Sequence, residues 1–211
     1  METLTEKQLN KMNNGREYRN MTIEVEAKED GGMFVEGYAT TFNESYTLYD
    51  SRYYTVKERI DPNAFKDCDM DDVIMQYDHT GRVYARTKNR TLELTIDNHG
   101  LKIRADLSGT EIGKQLYEEI KGGYTDKMSF GFMVAEDKRE STNDRENDHE
   151  TVLRTITKIS KLFDVSAVSI PANDATSISA RRYADGVIDG IKAERLERAK
   201  DKLRLMIEME A

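Results

Sequence analysis

Lys127-Met128-Ser129-Phe130-Gly131-Phe132-Met133-Val134-Ala135 is the stretch on which the fold turns. Side chains alternate across a β-strand, so Met128, Phe130 and Phe132 share one face while Ser129 and Gly131 share the other. The first face is apolar and reads as core. The second is small and open, and another backbone can approach it closely.

The same period of two recurs on both sides of this stretch. Downstream, residues 136–150 are almost wholly polar and are expected to form a solvated, unstructured loop. Residues 152–159 and 162–170 then read as two strands, the second ended by Pro171-Ala172-Asn173. Upstream, Ile23, Val25 and Ala27 alternate with polar residues before a turn at Asp30-Gly31-Gly32. Strands are expected at 34–42, 53–59, 82–87 and 92–97, with a loop over 43–50. Val73-Ile74-Met75 belongs to another strand that ends at Asp78-His79. Asp97-Asn98-His99-Gly100 reads as a tight turn, with Gly100 available for positive φ, and 101–105 returns antiparallel. A helical period intervenes once inside the domain. Ser108-Gly109-Thr110-Glu111 has the pattern of a capping box, Ile112, Leu116, Tyr117 and Ile120 follow at helical spacing, and Gly122-Gly123 stops the helix.

The chain therefore divides into a mobile N-terminal arm (1–21), one β-rich domain (22–180) and a charged helical tail (181–211). In the tail Val187, Ile191, Leu196, Leu203 and Ile207 make a thin apolar stripe, better suited to a partner or a second copy than to a core. A chain of 211 residues leaves room for a domain that buries a core without staples. A net charge of −8 argues against nucleic-acid binding, whose affinity comes from basic side chains on phosphates. No apolar run is long enough to span a membrane, and the N-terminal stretch lacks the apolar centre of a signal peptide. One cysteine, Cys68, excludes an intrachain disulfide and a cysteine-based zinc cage. The expected compartment is the reducing cytoplasm.

Three residues stand out for chemistry. Ser129 occupies the open face of its strand, where a nucleophile is accessible, although an ordinary serine on a polar strand face fits the same pattern. Of the three histidines, His99 lies in a turn and His149 in the charged stretch, whereas His79 ends an apolar strand that can aim it. An imidazole there suits base and then acid duty near neutral pH. A strand-end histidine with no partner is an equal reading. Asp164 is a carboxylate inside Leu162-Phe163-Asp164-Val165-Ser166-Ala167-Val168. Buried carboxylates need a partner, and either a histidine to orient or a backbone or arginine contact supplies one. Asp67-Cys68-Asp69-Met70-Asp71 begins like a calcium loop but has Asp72 where glycine is required and Asp78 at the last position. Cys68 is a poor nucleophile, because acidic neighbours suppress its thiolate.

Taken in order, these pieces resemble the prohead maturation proteases of tailed phages, which are distantly similar to herpesvirus assemblin. The resemblance covers about 33–180. Gly37-Tyr38-Ala39 resembles the opening strand, and Ile60-Asp61-Pro62-Asn63-Ala64-Phe65 a family segment in which Asn63 replaces the usual glycine. Met75-Gln76-Tyr77-Asp78-His79-Thr80 followed by Gly81-Arg82-Val83 resembles the segment that carries the catalytic histidine. Gly100-Leu101-Lys102-Ile103-Arg104-Ala105 resembles the strand before the helix. Met128-Ser129-Phe130-Gly131-Phe132 resembles the nucleophile motif. The segment from Asp164 to Asn173 resembles one that usually starts with glutamate. In assemblin-like relatives a second histidine takes the third role, which keeps His149 as the alternative to Asp164.

The resemblance implies an α+β, mainly β fold: an assemblin-like closed or partly open β-barrel with surrounding helices and a helical C-terminal tail. It implies a serine endopeptidase with Ser129 as nucleophile, His79 as base and Asp164 as its orienting partner, needing no metal or organic cofactor. Backbone N–H groups would meet the oxyanion, typically worth about 10²–10³-fold in rate. The implied substrates are the scaffold protein and extensions of the major capsid protein, and also the protease itself, inside the assembling procapsid in the host cytoplasm. Nucleic acid and membrane are not implied partners, and a homo-oligomer is allowed. The alternatives are a non-enzymatic capsid assembly or scaffold protein, with barrel and tail as binding modules, and a cytosolic hydrolase of a small substrate.

Overall fold

The computed structural model describes residues 15–21, 26–28, 32–169 and 178–210, and in it the strand that begins at Lys127 runs on to Asp144. In chain order the elements are β1 (Arg16–Met21), β2 (Glu26–Lys28), β3 (Phe34–Thr41), β4 (Tyr46–Asp50), β5 (Tyr54–Ile60), β6 (Ile74–Tyr77), β7 (Thr80–Arg86), β8 (Leu92–Ile96), β9 (Gly100–Asp106), helix α1 (Glu111–Lys121), β10 (Lys127–Asp144), β11 (His149–Val168) and helix α2 (Ile178–Glu210). The chain is α+β and mainly β, with its larger sheet curled into a half-barrel.

The spine of that sheet is the antiparallel hairpin of β10 and β11. β11 is one continuous strand, where two were expected, and it serves two neighbours. Its first half pairs in parallel with β5, and its second half with β6. β4 lies outside β5, β7 pairs with β6, and β1 lies along the far edge of β10. β2, β3, β9 and β8 form the second sheet. Met128, Phe130 and Phe132 are fully buried as their alternation indicates, and the rings of Phe130 and Phe132 stack with centroids 4.5 Å apart. Around them close Ile60, Phe65, Met75, Leu101, Ile103 and Leu162, with Leu116, Tyr117 and Ile120 of α1.

Several expectations need correction. Residues 136–150 are solvated but not unstructured: they are the outer half of the β10–β11 hairpin and its turn. That half of β10 is exposed, so no apolar alternation marks it, yet its backbone is held by β11. Residues 16–21 of the presumed mobile arm form β1. Residues 46–50, expected in a loop, form β4, which pairs with β5. Thr110 caps α1, its Oγ1 accepting from Gly113 N at 3.0 Å, two residues later than the Ser108 pattern suggests. Gly100 is required for close approach rather than for positive φ, because a Cβ there would stand 2.0 Å from the Thr40 carbonyl oxygen. Asp97 Oδ1 tightens that turn by accepting from His99 N and Gly100 N. Ile23, Val25, Asp30, Gly31 and Pro171-Ala172-Asn173 lie outside the described residues.

The start of α2 does not stand apart from the body. Ala184, Val187 and Ile188 are buried, and Ala184 joins Leu48 and Val56 in a small second cluster. Further along, Leu196, Leu203 and Met206 are exposed. Among the described residues no helix is long and apolar enough to cross a membrane.

The stacked ring of Phe130 fills the centre of this packing, so Phe130→Ala should destabilise the fold by about 3–5 kcal/mol. Guanidinium unfolding followed by circular dichroism reads this as a lowered midpoint at unchanged slope; a loss below about 1 kcal/mol would place Phe130 outside the core.

Candidate active site

The sequence Tyr77-Asp78-His79-Thr80 joins β6 to β7 by a two-residue turn, with Tyr77 paired to Thr80. Asp78 and His79 take φ values of 47° and 57°. A tight hairpin of this kind needs positive φ at both central residues, and Asp and His tolerate it better than most. The turn is tied to the end of β11. Asp78 N donates to the Ala167 carbonyl at 3.0 Å, and the Asp78 carboxylate accepts from Ser169 N and from Ser169 Oγ, each at 3.0 Å. The imidazole is therefore carried on a short, anchored projection.

His79 Nε2 lies 2.5 Å from Ser129 Oγ, and His79 Nδ1 lies 2.5 Å from Asp164 Oδ1. An ionised carboxylate only accepts, so Nδ1 carries a proton toward Asp164 and the neutral ring presents the Nε2 lone pair to the serine. Asp164 Oδ1 also accepts from Ser166 Oγ at 2.8 Å. Ser129 and Asp164 are buried, while the His79 side chain keeps 15% of its surface. Aspartate, shorter than the glutamate of the family segment, reaches the ring because Gly131 is its cross-strand partner. A Cβ on Gly131 would stand 2.3 Å from Asp164 Oδ2 and 2.7 Å from Tyr18 Cε1. The open face expected beside Ser129 is thus the passage through which Asp164 meets His79.

β1 lies beside β10 in the same sheet, and its Tyr18 side chain covers the Gly131 part of that face. Asn20 pairs with Ser129 and Tyr18 with Gly131. The Tyr18 ring packs against His79, centroids 4.5 Å apart. The carbonyl oxygen of Arg19, 2.9 Å from Ser129 Oγ, is a second acceptor for the single hydroxyl proton beside His79 Nε2. On the opposite side of β1 lies a buried ion cluster. Arg19 donates Nε to Glu58 Oε1 at 2.6 Å and Nη2 to Glu58 Oε2 at 2.9 Å. Arg154 donates to Glu58 at 2.8 Å, to Glu17 at 2.8 and 3.1 Å, and to Asp137 at 2.5 Å. Tyr46 Oη donates to Glu58 Oε1 at 2.5 Å. Burial pushes the Glu17 carboxyl up, but the Arg19 and Arg154 guanidinium groups outweigh it and hold the pKa at about 2. Burial works against the charge of Arg19 too, and Glu58 with Glu17 raises its pKa above the ordinary arginine value.

The structure brings together Ser129, His79 and Asp164 and leaves His149 apart. His149 sits at the start of β11, seventeen residues from Ser166, the partner of Ser129. Its ring contacts Thr55 Oγ1 and the Arg52 carbonyl, each at 2.9 Å. In the discounted calcium stretch, Asp69 is paired with Lys161 and Asp72 with Arg86. Burial pushes the Cys68 thiol up to about 11. The residues missed were Tyr18, Arg19, Glu58, Asp78, Arg154 and Ser166. Two of them left a signal: Val56, Glu58 and Ile60 share a strand face, as do Val152, Arg154 and Ile156. A lone carboxylate and a lone guanidinium on two core faces call for each other.

Residues 21–187 match the family model described as Caudovirus prohead serine protease. No curated protein and no solved structure matches the chain.

Three outcomes are expected from this geometry. Gly131→Ala should separate Asp164 from His79 while leaving the core intact, lowering turnover far more than thermal stability. Iodoacetamide at pH 7.5 should leave native Cys68 almost unmodified, whereas rapid alkylation would contradict its raised pKa. Glu17 titrates near 4.5 when unfolded and at about 2 when folded, so its stabilisation is full above pH 4.5 and lost as the pH falls toward 2. Glu17→Gln should therefore flatten the fall of the denaturation midpoint across that window; parallel titrations of the two chains would remove Glu17 from the account.

Proposed function

The chain belongs to the caudovirus prohead serine proteases, and from that premise we propose that Ser129 is its nucleophile, His79 its general base and acid, and Asp164 the group that orients His79. The observation that carries this is the unbroken chain from Ser129 Oγ to His79 Nε2 and from His79 Nδ1 to Asp164 Oδ1.

As Ser129 Oγ attacks the carbonyl carbon of the scissile bond, its proton passes to His79 Nε2. The imidazolium so formed is held by the Asp164 carboxylate through Nδ1–H. His79 then returns the proton to the leaving amine nitrogen, the C–N bond breaks, and an acyl-enzyme on Ser129 remains. Water, deprotonated by the same ring, attacks the ester and frees Ser129. Ser166, bonded to Asp164, and Asp78, bonded to Ser169, position the carboxylate and the histidine turn and touch no reacting atom.

The substrates in this reading are the scaffold protein, extensions of the major capsid protein and the protease itself, cut inside the procapsid in the host cytoplasm. Family membership supports this assignment. A purely structural assembly role leaves the three-residue relay without a purpose.

Co-expression with the capsid and scaffold proteins, read by intact mass, tests the proposal. Ser129→Ala should abolish every cleavage and permit assembly; fragments identical to those of the parent would reject the assignment. Asp164→Asn should lower turnover by roughly 10³–10⁴-fold through the wrong tautomer. His149→Ala should leave the rate within about twofold, and a larger loss than that of Asp164→Asn would exchange their roles.

A further inference from the structure

Building on the peptidase reading above, we propose that β1 occupies the substrate groove, that the groove selects an arginine immediately before the cleaved bond through Glu58, and that Arg19–Asn20 is the bond this chain presents to its own serine.

Four observations carry the inference. The first is position: the Arg19 carbonyl oxygen accepts from Ser129 Oγ at 2.9 Å, which sets that carbonyl group beside the serine. The second is the manner of binding. β1 is an edge strand joined to β10 in unbroken antiparallel register from Arg16–Met133 to Met21–Met128. Strand addition of this kind fixes the peptide backbone and leaves alternate side chains to be read by pockets. The third is closure. Ser129 is fully buried with β1 in place, so no second strand reaches it until β1 leaves. The fourth is chemistry: Arg19, the residue whose carbonyl lies at the serine, is bound through its side chain by a single buried carboxylate, Glu58.

The pockets are specific. Tyr18 lies over His79 and Gly131, on the side of the relay. Arg19 points to the other side, where its guanidinium is 2% exposed and grips Glu58 with two parallel bonds. A carboxylate offers about four lone-pair sites. Tyr46 and Arg154 use two at Glu58, and Arg19 fills the other two. Withdrawing the arginine leaves a buried carboxylate half-satisfied, which is costly, and a lysine cannot reproduce the paired geometry. Glu58 touches no reacting atom; it is a specificity-determining residue.

The step balances without a further reagent. Ser129 Oγ bonds to the Arg19 carbonyl carbon, the bond to Asn20 nitrogen breaks, and His79 delivers the serine proton to that nitrogen. Water hydrolyses the acyl-enzyme, leaving a carboxyl-terminal Arg19 and a new amino terminus at Asn20. Departure of the cut segment then opens the groove to other chains.

The test uses the full chain, alone and co-expressed with its capsid and scaffold proteins, with intact mass and amino-terminal sequencing as readouts. A Ser129-dependent cut between Arg19 and Asn20 is expected. Its rate should fall roughly 100-fold in Arg19→Gln. In a Glu58→Gln background the same comparison should shrink to within about threefold, because the charge that distinguishes the two side chains is gone. A merely structural Glu58 would slow both chains alike and keep their ratio, and that result would overturn its role. Ser129-dependent cleavage of capsid, scaffold or another bond of this chain, with Arg19–Asn20 intact, would overturn this inference and leave the peptidase reading standing. Absence of any Ser129-dependent cleavage by the folded chain, checked by thermal unfolding, would overturn both.

Discussion

Gly131 opposite Asp164 is the contact on which the site depends. Pairing of β10 with β11 sets Ser129 beside Ser166 and Gly131 beside Asp164, so serine and carboxylate come from adjacent strands of one hairpin. Neither reaches the other directly. His79 enters between them, and the space that the Asp164 carboxylate takes beside Tyr18 exists because Gly131 has no side chain. The turn that brings His79 is then fixed at β11 by Asp78 and Ser169. A rigid hairpin, one missing Cβ and one anchored turn together align the relay.

The second organising element is the ion cluster behind β1. Arg19, Arg154 and Glu58 are removed from water together, with Glu17 and Asp137 half-buried at their margin, and each is bonded to the opposite charge. Burying any one alone would cost several kcal/mol, at about the scale of a whole domain's stability margin. The cluster therefore makes the seating of β1 specific rather than adhesive: a strand with the wrong residues leaves Glu58 and Arg154 imperfectly matched.

How far the sequence could be read depended on what kind of burial was involved. Apolar burial leaves a period, and Met128, Phe130 and Phe132 declared their face at once. Asp164 was legible by contrast, as a carboxylate among apolar neighbours. Ser129 and His79 were weak as isolated residues and became persuasive through the order of the family segments around them. β1 was not legible, because Arg19 is buried and Glu17 half-buried through charge pairing, which carries no hydropathic signal. The outer half of β10 was missed for the opposite reason: both its faces are wet, and its strand is sustained by backbone bonds to β11.

By itself the sequence determined a mainly β chain, the core face of β10 and the three residue types that a serine peptidase requires, since these follow from local period and side-chain chemistry. Only the tertiary structure decided that those residues meet, that Asp164 rather than His149 faces His79, and that β1 pairs alongside Ser129. Each of these depends on strand register between segments far apart in the chain. Ser129 and His79 are fifty residues apart, His79 and Asp164 eighty-five, and Ser129 and Arg19 one hundred and ten. Contacts of that separation are set by backbone pairing and shape, and no local pattern encodes them.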